Sequence, residues 1–392
     1  MTAPNRKLRI LFLPRWYPNR YDPMPGLFIQ RQAEAITPNC DVAVIYVHPD
    51  PHCPNNLEVD FSEENEVRVL RVYFKVNERP STFGKILALW NYYKASRKAF
   101  RSIREFKSDL VHAHILTRAG FVGWRIARSL RVPLVISEHW SRYFPENNTY
   151  QGWFRKFMTT IIVKTAAALV PVSEQLRQAM LQCGLQNKMT VVIPNVVDPV
   201  PFIVSSGEKK SDIKTMVHIS CFDDRSKNIS GFLRSVKDLT DLRQDFTCLM
   251  VGEGPDLAEM KEYAGFLRIP GSVLTFTGLK TGQEFAEILG NADFSVLSSK
   301  FETFGTVVIE SLAYGVPVVA TKVGIAGEVI TDTNGMLVPP GDDGAMTTAL
   351  NAMLNSCRDF DKLQIRNSIS DTYSRKMVGE SLVTLYKSLV KD

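Results

Sequence analysis

The stretch "DFSVLSSKFETFGTVVIESLAYGVPVVAT" (residues 293–321) decides the fold. Its ends, "DFSVLS" (293–298) and "PVVAT" (317–321), are short apolar, β-branched runs of strand length. Between them "GTVVIESLAY" (305–314) has helical length and stops at Gly315, a residue suited to the left-handed turn that closes a helix. Strand, helix, strand is the repeating unit of a parallel sheet. The start of that helix carries chemistry as well. Phe304 to Val307 form its first turn, whose free amides and positive dipole end suit an anionic group such as phosphate. Gly305 removes a side chain where a ligand comes close. Glu302 precedes the turn, and Glu310 sits about a turn and a half inside the helix, beside Val307 and Val308. Carboxylates accept hydrogen bonds in pairs, which fits vicinal sugar hydroxyls flanking a bound phosphate; the plain alternative is two solvated acids.

The same alternation runs through most of the chain. The first half offers strands at 8–13, 41–47, 109–115, 133–137, 168–172 and 190–194, and the second half at 215–220, 246–251, 273–278, 293–298, 317–321 and 336–339. Helical stretches between them include 26–36, 86–107, 118–130, 173–183, 255–266 and 305–314. The reading is an α/β protein of two Rossmann-like, doubly wound parallel-sheet domains. A length of 392 residues supports two cores rather than one. The domains are taken as 1–200 and 201–373, with "DPVPFIVSSGEKKSDIK" (198–214) as the linker and the Pro-rich segment 50–65 as a long loop.

Composition narrows the class. Hydrophobic residues make up 45% and charged residues 22%, the balance of a soluble globular protein. Six scattered cysteines without a CxxC argue against a disulfide scaffold or zinc module and point to a reducing, cytoplasmic setting. No run is long and apolar enough to span a bilayer, and the N-terminal apolar run is too short for a signal peptide. The first 200 residues hold 27 Lys and Arg against 16 Asp and Glu; the remainder hold 20 against 25. A basic first half implies an anionic partner or membrane surface. Nucleic acid is disfavoured, because no zinc-finger spacing or RNP-like aromatic motif accompanies the charge.

In open parallel sheets, ligands bind beyond the carboxyl ends of the strands. The unusual polar residues fall there. Arg15, Trp16 and Tyr17 follow the first strand, His114 closes the third, "EHWSRY" (138–143) follows the fourth and Asn195 the sixth. Asp223 to Lys227, "GEGP" (252–255) and Glu302 do the same in the second half. Two such edges facing one another would line a cleft.

"FETFGTVVIESLAYGVPVVAT" followed by "VGIAGEVITDTNGMLVPPGD" resembles the E-x7-E donor signature of the GT-B, family 4 (group 1) retaining glycosyltransferases. Further agreement comes, in order, from "PGLFIQRQAEAI", "SEHW", "IPNVVD", "SKNISGFL", "VGEGP", "FTG" and "YSRKMVGESLVTLYKSL", so the resemblance spans nearly the whole chain. It implies that Glu310 binds the nucleotide ribose and Glu302 the hydroxyls of the donor sugar. Phe304, Gly305 and Thr306, with Lys227, would hold the diphosphate, Gly26 would let the first domain approach it, and Leu279 would meet the base. His139 would sit near the anomeric carbon, in a cleft region shared with Trp16, Tyr17, His114, Glu138 and Trp140. The final helix, from about 374 to 392, would pack back on the first domain. The activity implied is transfer of a sugar from a nucleotide sugar to a saccharide or lipid-linked saccharide, with retention and without a metal cofactor, in surface polysaccharide assembly.

Two departures stand out. The family arginine five residues before the lysine is missing from "SCFDDRSKN", where Phe222 takes that place, or Cys221 if the loop is one residue longer, and Arg225 is the candidate replacement. "VGIAGE" stands where the family has "GGIPE", which changes the surroundings of Gly324 and Glu328. Rival readings are a GT-B sugar-nucleotide epimerase and an inactive homologue acting as a binding subunit. The pair His112 and His114 lacks a third ligand at metal spacing and reads as packed or cleft-lining. The amphipathic basic segment 86–107 reads as a core-facing stripe of Leu89, Tyr93, Phe100 and Ile103, with peripheral contact to the inner face of the cell membrane as the alternative.

Overall fold

The computed structural model describes residues 6–77, 81–197, 212–369 and 371–390. The chain divides into two units, one of residues 1–196 with 374–392 and the other of residues 197–373. Most of the expected linker, 198–211, lies outside the described residues.

The first unit begins with β1 (Leu8–Pro14), α1 (Leu27–Ala35) and β2 (Cys40–Asp50). Then come β3 (Leu57–Glu64), β4 (Val67–Lys75), α2 (Thr82–Ser102), β5 (Leu110–His114) and α3 (Ala119–Leu130). It continues through β6 (Leu134–Glu138), α4 (Trp153–Thr165), β7 (Ala168–Pro171) and α5 (Glu174–Gln182). Its sheet has the order β3-β4-β2-β1-β5-β6-β7, parallel throughout except for the antiparallel β3–β4 pair.

In the second unit β8 (Lys214–Ile219), α6 (Asp224–Lys227), α7 (Ile229–Leu242), β9 (Phe246–Val251) and α8 (Leu257–Phe266) come first. They lead to β10 (Leu274–Gly278), α9 (Gly282–Gly290), β11 (Phe294–Leu297), α10 (Thr306–Ala313) and β12 (Val318–Thr321). The unit ends with α11 (Ala326–Val329), β13 (Gly335–Val338), α12 (Asp343–Ser356) and α13 (Lys362–Ser368). Its six strands, β10-β9-β8-β11-β12-β13, are all parallel. A last helix, α14 (Arg375–Leu389), belongs to the first unit.

Both sheets carry helices, which is why their central strands read as unbroken apolar runs. Residues 10–14 of β1 and all of β5, β6, β11 and β12 are buried. Helix α14 seats Val378, Leu382 and Tyr386 in the first core, and the Arg375 guanidinium pairs with Glu34 on α1 at 2.9 Å. No helix among the described residues is long and apolar enough to cross a membrane.

Three local expectations are corrected. Segment 50–65 is no loop, because 57–64 forms the edge strand β3. Its outward Val59 and Phe61 are 47% and 60% exposed, and its remaining residues are mostly polar, so an edge strand wears the composition of a loop. Residues 190–194 run beside β7, with Val191 N–H donating to Leu169 and Ile193 N–H to Pro171, yet only a single bridge forms before Pro194. Helix α2 starts at Ser81, whose Oγ accepts from the Gly84 amide, and ends five residues short of 107. Its buried side is Tyr92, Ala95, Ser96 and Ala99, whereas Leu89 is 37% exposed.

Candidate functional site

In the second unit the chain leaves β11 through Ser298 and Ser299 and turns at Gly305 into α10. Gly305 has φ +86°, and no side chain caps the helix. The first-turn amides thus keep the donors that a cap would have used. A Cβ on Gly305 would meet nothing closer than 3.8 Å, so its backbone conformation, rather than crowding, selects glycine. Glu302 forms an ion pair with Lys227, which closes α6, and also accepts from Ser299 Oγ at 2.8 Å. The loop bearing Lys227 is fixed from several sides. Ser298 Oγ donates to the Lys227 carbonyl at 2.7 Å, Lys300 N–H to the Ser226 carbonyl at 2.8 Å, and Asp224 accepts from Ser230 N–H and Oγ. A cation, a carboxylate and an uncapped helix start are therefore held together by one hydrogen-bonded framework. Ser298 and Ser299 were not singled out in the sequence; two serines directly after a buried strand are the signal that marks them.

Other expected donor residues take different positions. Glu310 is half-buried on α10. Phe304 has its side chain in the interior at 2% exposure, and its carbonyl accepts from the Ile325 amide at 2.7 Å. That leaves Phe304 only its amide to offer a ligand. Leu279, 40% exposed, follows Gly278, which has φ +72°. Arg225 is exposed on α6, two positions from Lys227, and residues two apart on a helical turn point to different sides. Phe222, at the place of the family arginine, is fully buried against Phe276. Glycines 252 and 254 serve that packing, since a Cβ on Gly252 would lie 1.9 Å from the Ser220 carbonyl and one on Gly254 2.5 Å from the Phe222 nitrogen.

Gly324, in the divergent "VGIAGE" segment, has φ +55°, and a Cβ there would come within 2.5 Å of the Phe304 carbonyl and 2.9 Å of Glu302 Cβ. Gly324→Ala is expected to destabilise the second unit by ~3 kcal/mol or more through overpacking on a strained backbone. Gly305→Ala, whose methyl group would make only ordinary contacts, should cost only ~1–2 kcal/mol. Urea unfolding of both variants checks the contrast, and equal losses would contradict it.

In the first unit, Pro14, His114 and Ser137 align across β1, β5 and β6, so Arg15, Trp16, His114 and His139 gather at the carboxyl edge of the sheet. Gly26 has φ +74°, and a Cβ there would fall 2.2 Å from the Trp16 carbonyl, so its backbone packs on the β1–α1 loop itself. His114 Nδ1 and His139 Nε2 lie 3.3 Å apart, with the rings stacked, and Phe28 packs on His139 at 4.6 Å. Burial pushes the His139 pKa down to about 3, opposed by the neighbouring Asn195, so this imidazole is neutral. Its Nδ1 and the Nε2 of His114 are buried without partners. His112 is a packed histidine, hydrogen-bonded to Tyr386 at 2.7 Å and to Ser137 at 2.8 Å.

Three residues expected at the acceptor or cleft, Tyr17, His114 and Glu138, are fully buried. Tyr17 has no exposed surface and packs near Tyr46. Glu138 is fully buried, accepting from the amides of Leu116, His139 and Trp140 and from the Tyr143 hydroxyl. It positions the loop rather than a ligand. Trp16 and Trp140 do pack edge to face at 5.1 Å and stay partly exposed.

Comparison with known proteins agrees with this geometry. Residues 28–200 match the family described as Glycosyltransferase Family 4, and residues 201–368 match Glycosyl transferases group 1. The alpha-monoglucosyldiacylglycerol synthase of Streptococcus pneumoniae is 26% identical over 245 residues, which cover 58% of this chain and 55% of that relative. Sucrose-phosphate synthase from Thermosynechococcus elongatus superposes with a TM-score of 0.76 at 19% identity, covering 98% of this chain and 99% of the other. Anabaena HepE in complex with UDP-glucose gives 0.71 at 18%, covering 97% and 100%. The fold is thus the GT-B arrangement of two parallel-sheet α/β domains. The chain belongs to the group 1, family 4 glycosyltransferases.

Proposed function

We propose that this glycosyltransferase moves a sugar from a nucleotide sugar to a saccharide or lipid-linked saccharide acceptor, with retention of configuration and without a metal ion, in the assembly of a surface polysaccharide. The observation that carries the reading is the Lys227–Glu302 pair beside the uncapped start of α10. As the bond to the nucleoside diphosphate breaks, negative charge collects on the leaving phosphate. Lys227 and the amides of Gly305 and Thr306 are fixed donors for that charge, and preorganised donors of this kind supply much of an enzyme's acceleration. Arg225, exposed two positions from Lys227 on α6, is the candidate second cation, and an Arg225→Ala variant with unchanged donor affinity and turnover would remove it from the site. Glu302 accepts from hydroxyls of the transferred sugar and Glu310 from the ribose, while the backbone at Leu279 meets the base.

His139 is neutral and adds no charge, so its part is to hydrogen-bond at the reacting centre. Metal independence fits the fixed cation at the phosphate. It also fits the use of Asp361 in the chain's only DxD, "DFD", as a helix cap accepting from the Leu363 and Gln364 amides. Support for a UDP-sugar comes from the likeness to HepE, and for a lipid acceptor from the diacylglycerol relative. The enzyme would then work in the cytoplasm, peripherally at the inner face of the membrane.

Thermal unfolding with UDP-, GDP- and ADP-sugars tests the donor. At a hundredfold excess over Kd, the cognate nucleotide adds about 2.7 kcal/mol, a rise of several degrees in Tm. Product analysis separates the rivals: transfer or hydrolysis supports the proposal, isomerisation points to an epimerase, and a Tm shift without turnover to a binding subunit.

A further inference from the structure

The first unit contains a cavity of about 490 Å³ that the donor chemistry does not use. Among the described residues five cations line it, Arg15, Lys85, Arg118, Arg142 and Arg155, and no carboxylate does. They come from five separate segments: the loop after β1, helix α2, the turn before α3, the turn after β6, and helix α4. Among the described residues, none of the five makes an ion pair. Arg142 is only 8% exposed; its guanidinium lies 3.4 Å over the Trp140 ring, and its Nε is buried without a hydrogen-bond partner. Burial lowers the pKa of Arg15, and the charges of Arg118 and Arg142 lower it further, a sign of cations crowded together without a counter-charge. Such a cluster is costly while empty and is relieved by a multivalent anion, for which guanidinium forks are geometrically matched.

The rim of the cavity is apolar. Leu89 and Tyr93 on α2 and Phe154 and Met158 on α4 line it, and the faces next to them are bare. On α2, Phe83, Ile86 and Trp90 are 75%, 63% and 58% exposed; on α4, Trp153 and Phe157 are 80% and 57% exposed. Aromatic and aliphatic side chains mixed with cations on helix faces are the composition of a surface that enters the headgroup region of an anionic bilayer.

We propose that this cavity binds the terminal phosphate or diphosphate of a lipid acceptor while the exposed apolar residues of α2 and α4 enter the bilayer. The assignment rests on the glycosyltransferase reading and names its acceptor class. It is tested with the full chain and vesicles of phosphatidylcholine, undoped or doped to equal surface charge with phosphatidic acid, a phosphomonoester, or phosphatidylglycerol, a phosphodiester. Binding to the phosphomonoester vesicles should be at least tenfold tighter than to the diester ones and should be competed by inorganic pyrophosphate. The exposed double variant Lys85→Gln, Arg118→Gln should lose that preference, while Trp90→Ser with Trp153→Ser weakens vesicle binding and leaves pyrophosphate binding intact. Nucleotide-induced Tm shifts, read in parallel, report on the donor site, so failure there is separable from failure here. Equal binding to both anionic vesicles would reduce the cavity to a generic basic surface and overturn the proposal. Pyrophosphate binding without any vesicle binding would overturn the lipid source.

Discussion

Lys227→Ala is expected to lower kcat/KM by about a hundred- to a thousandfold, the loss seen when a preorganised donor to a developing oxyanion is removed. Two effects combine. The leaving phosphate loses its fixed cation, and Glu302, whose side chain is 11% exposed, loses the ammonium that balances it. Glu302→Gln keeps the shape of the loop and the hydrogen bond from Ser299 but presents an amide to the sugar; its turnover should fall by a comparable factor. If Lys227 only stapled the loop, Lys227→Ala would lower Tm while the surviving folded fraction kept its turnover. Steady-state kinetics with the cognate donor, set beside thermal unfolding, separates these cases. Unchanged kcat/KM in both variants would remove the site from the second unit altogether.

Mild acid should unfold the first unit well before the second. Burial drives the pKa values of His112 and His139 down to about 3, and His114, pressed by both neighbours as well, also lies well below 6.5. The second unit buries one such ring, His218, likewise lowered to about 3. Each ring is neutral when folded and takes up a proton when unfolded once the pH drops below about 6.5. The unfolded state therefore binds more protons between pH 6.5 and 3, so stability is complete above that window and declines as pH falls through it. At pH 5.5 the loss is about 1.4 kcal/mol per ring, roughly 4 kcal/mol for the three rings of the first unit, partly offset by Glu138, whose pKa burial raises, and about a third of that for the ring of the second. His48, lowered by burial in the first unit, acts in the same direction. Hydrogen exchange at pH 7.5 and 5.5, corrected for intrinsic rates, reads each unit separately. Equal stability of the first unit at the two pH values would show that its imidazoles are not held neutral.

Much of this architecture was legible before any coordinates. Parallel strands covered on both faces must be apolar at nearly every position, so β1, β5, β11 and β12 announce themselves as short β-branched runs. Gly305 and Gly315 bracket α10, because both of its ends need a left-handed residue. The E-x7-E spacing is local to one loop and one helix, so the candidate donor site could be read from ten consecutive residues. Where the signal is not local, it is lost. Strand β3 pairs on one side only and carries the polar composition of a loop. Glu138 stood in a suggestive motif, yet its four hydrogen-bond donors come from a neighbouring strand end and its own turn, which no spacing rule reveals. The basic cavity draws on residues from Arg15 to Arg155 and has no motif, so only tertiary structure shows that five cations share one space.

Helix α14 gives the order of synthesis a particular meaning. Its Gly379 lies so close to α1 that a methyl group there would sit 2.3 Å from the Ala35 carbonyl, and its Tyr386 supplies the hydroxyl that His112 Nδ1 engages. Both follow the second unit in the chain and leave the ribosome after it, whereas the sheet they complete emerges before it. Maturation during translation therefore runs against the usual N-to-C sequence. The nascent first unit waits with a bare apolar flank for its closing piece, and the uninterrupted second unit can finish ahead of it.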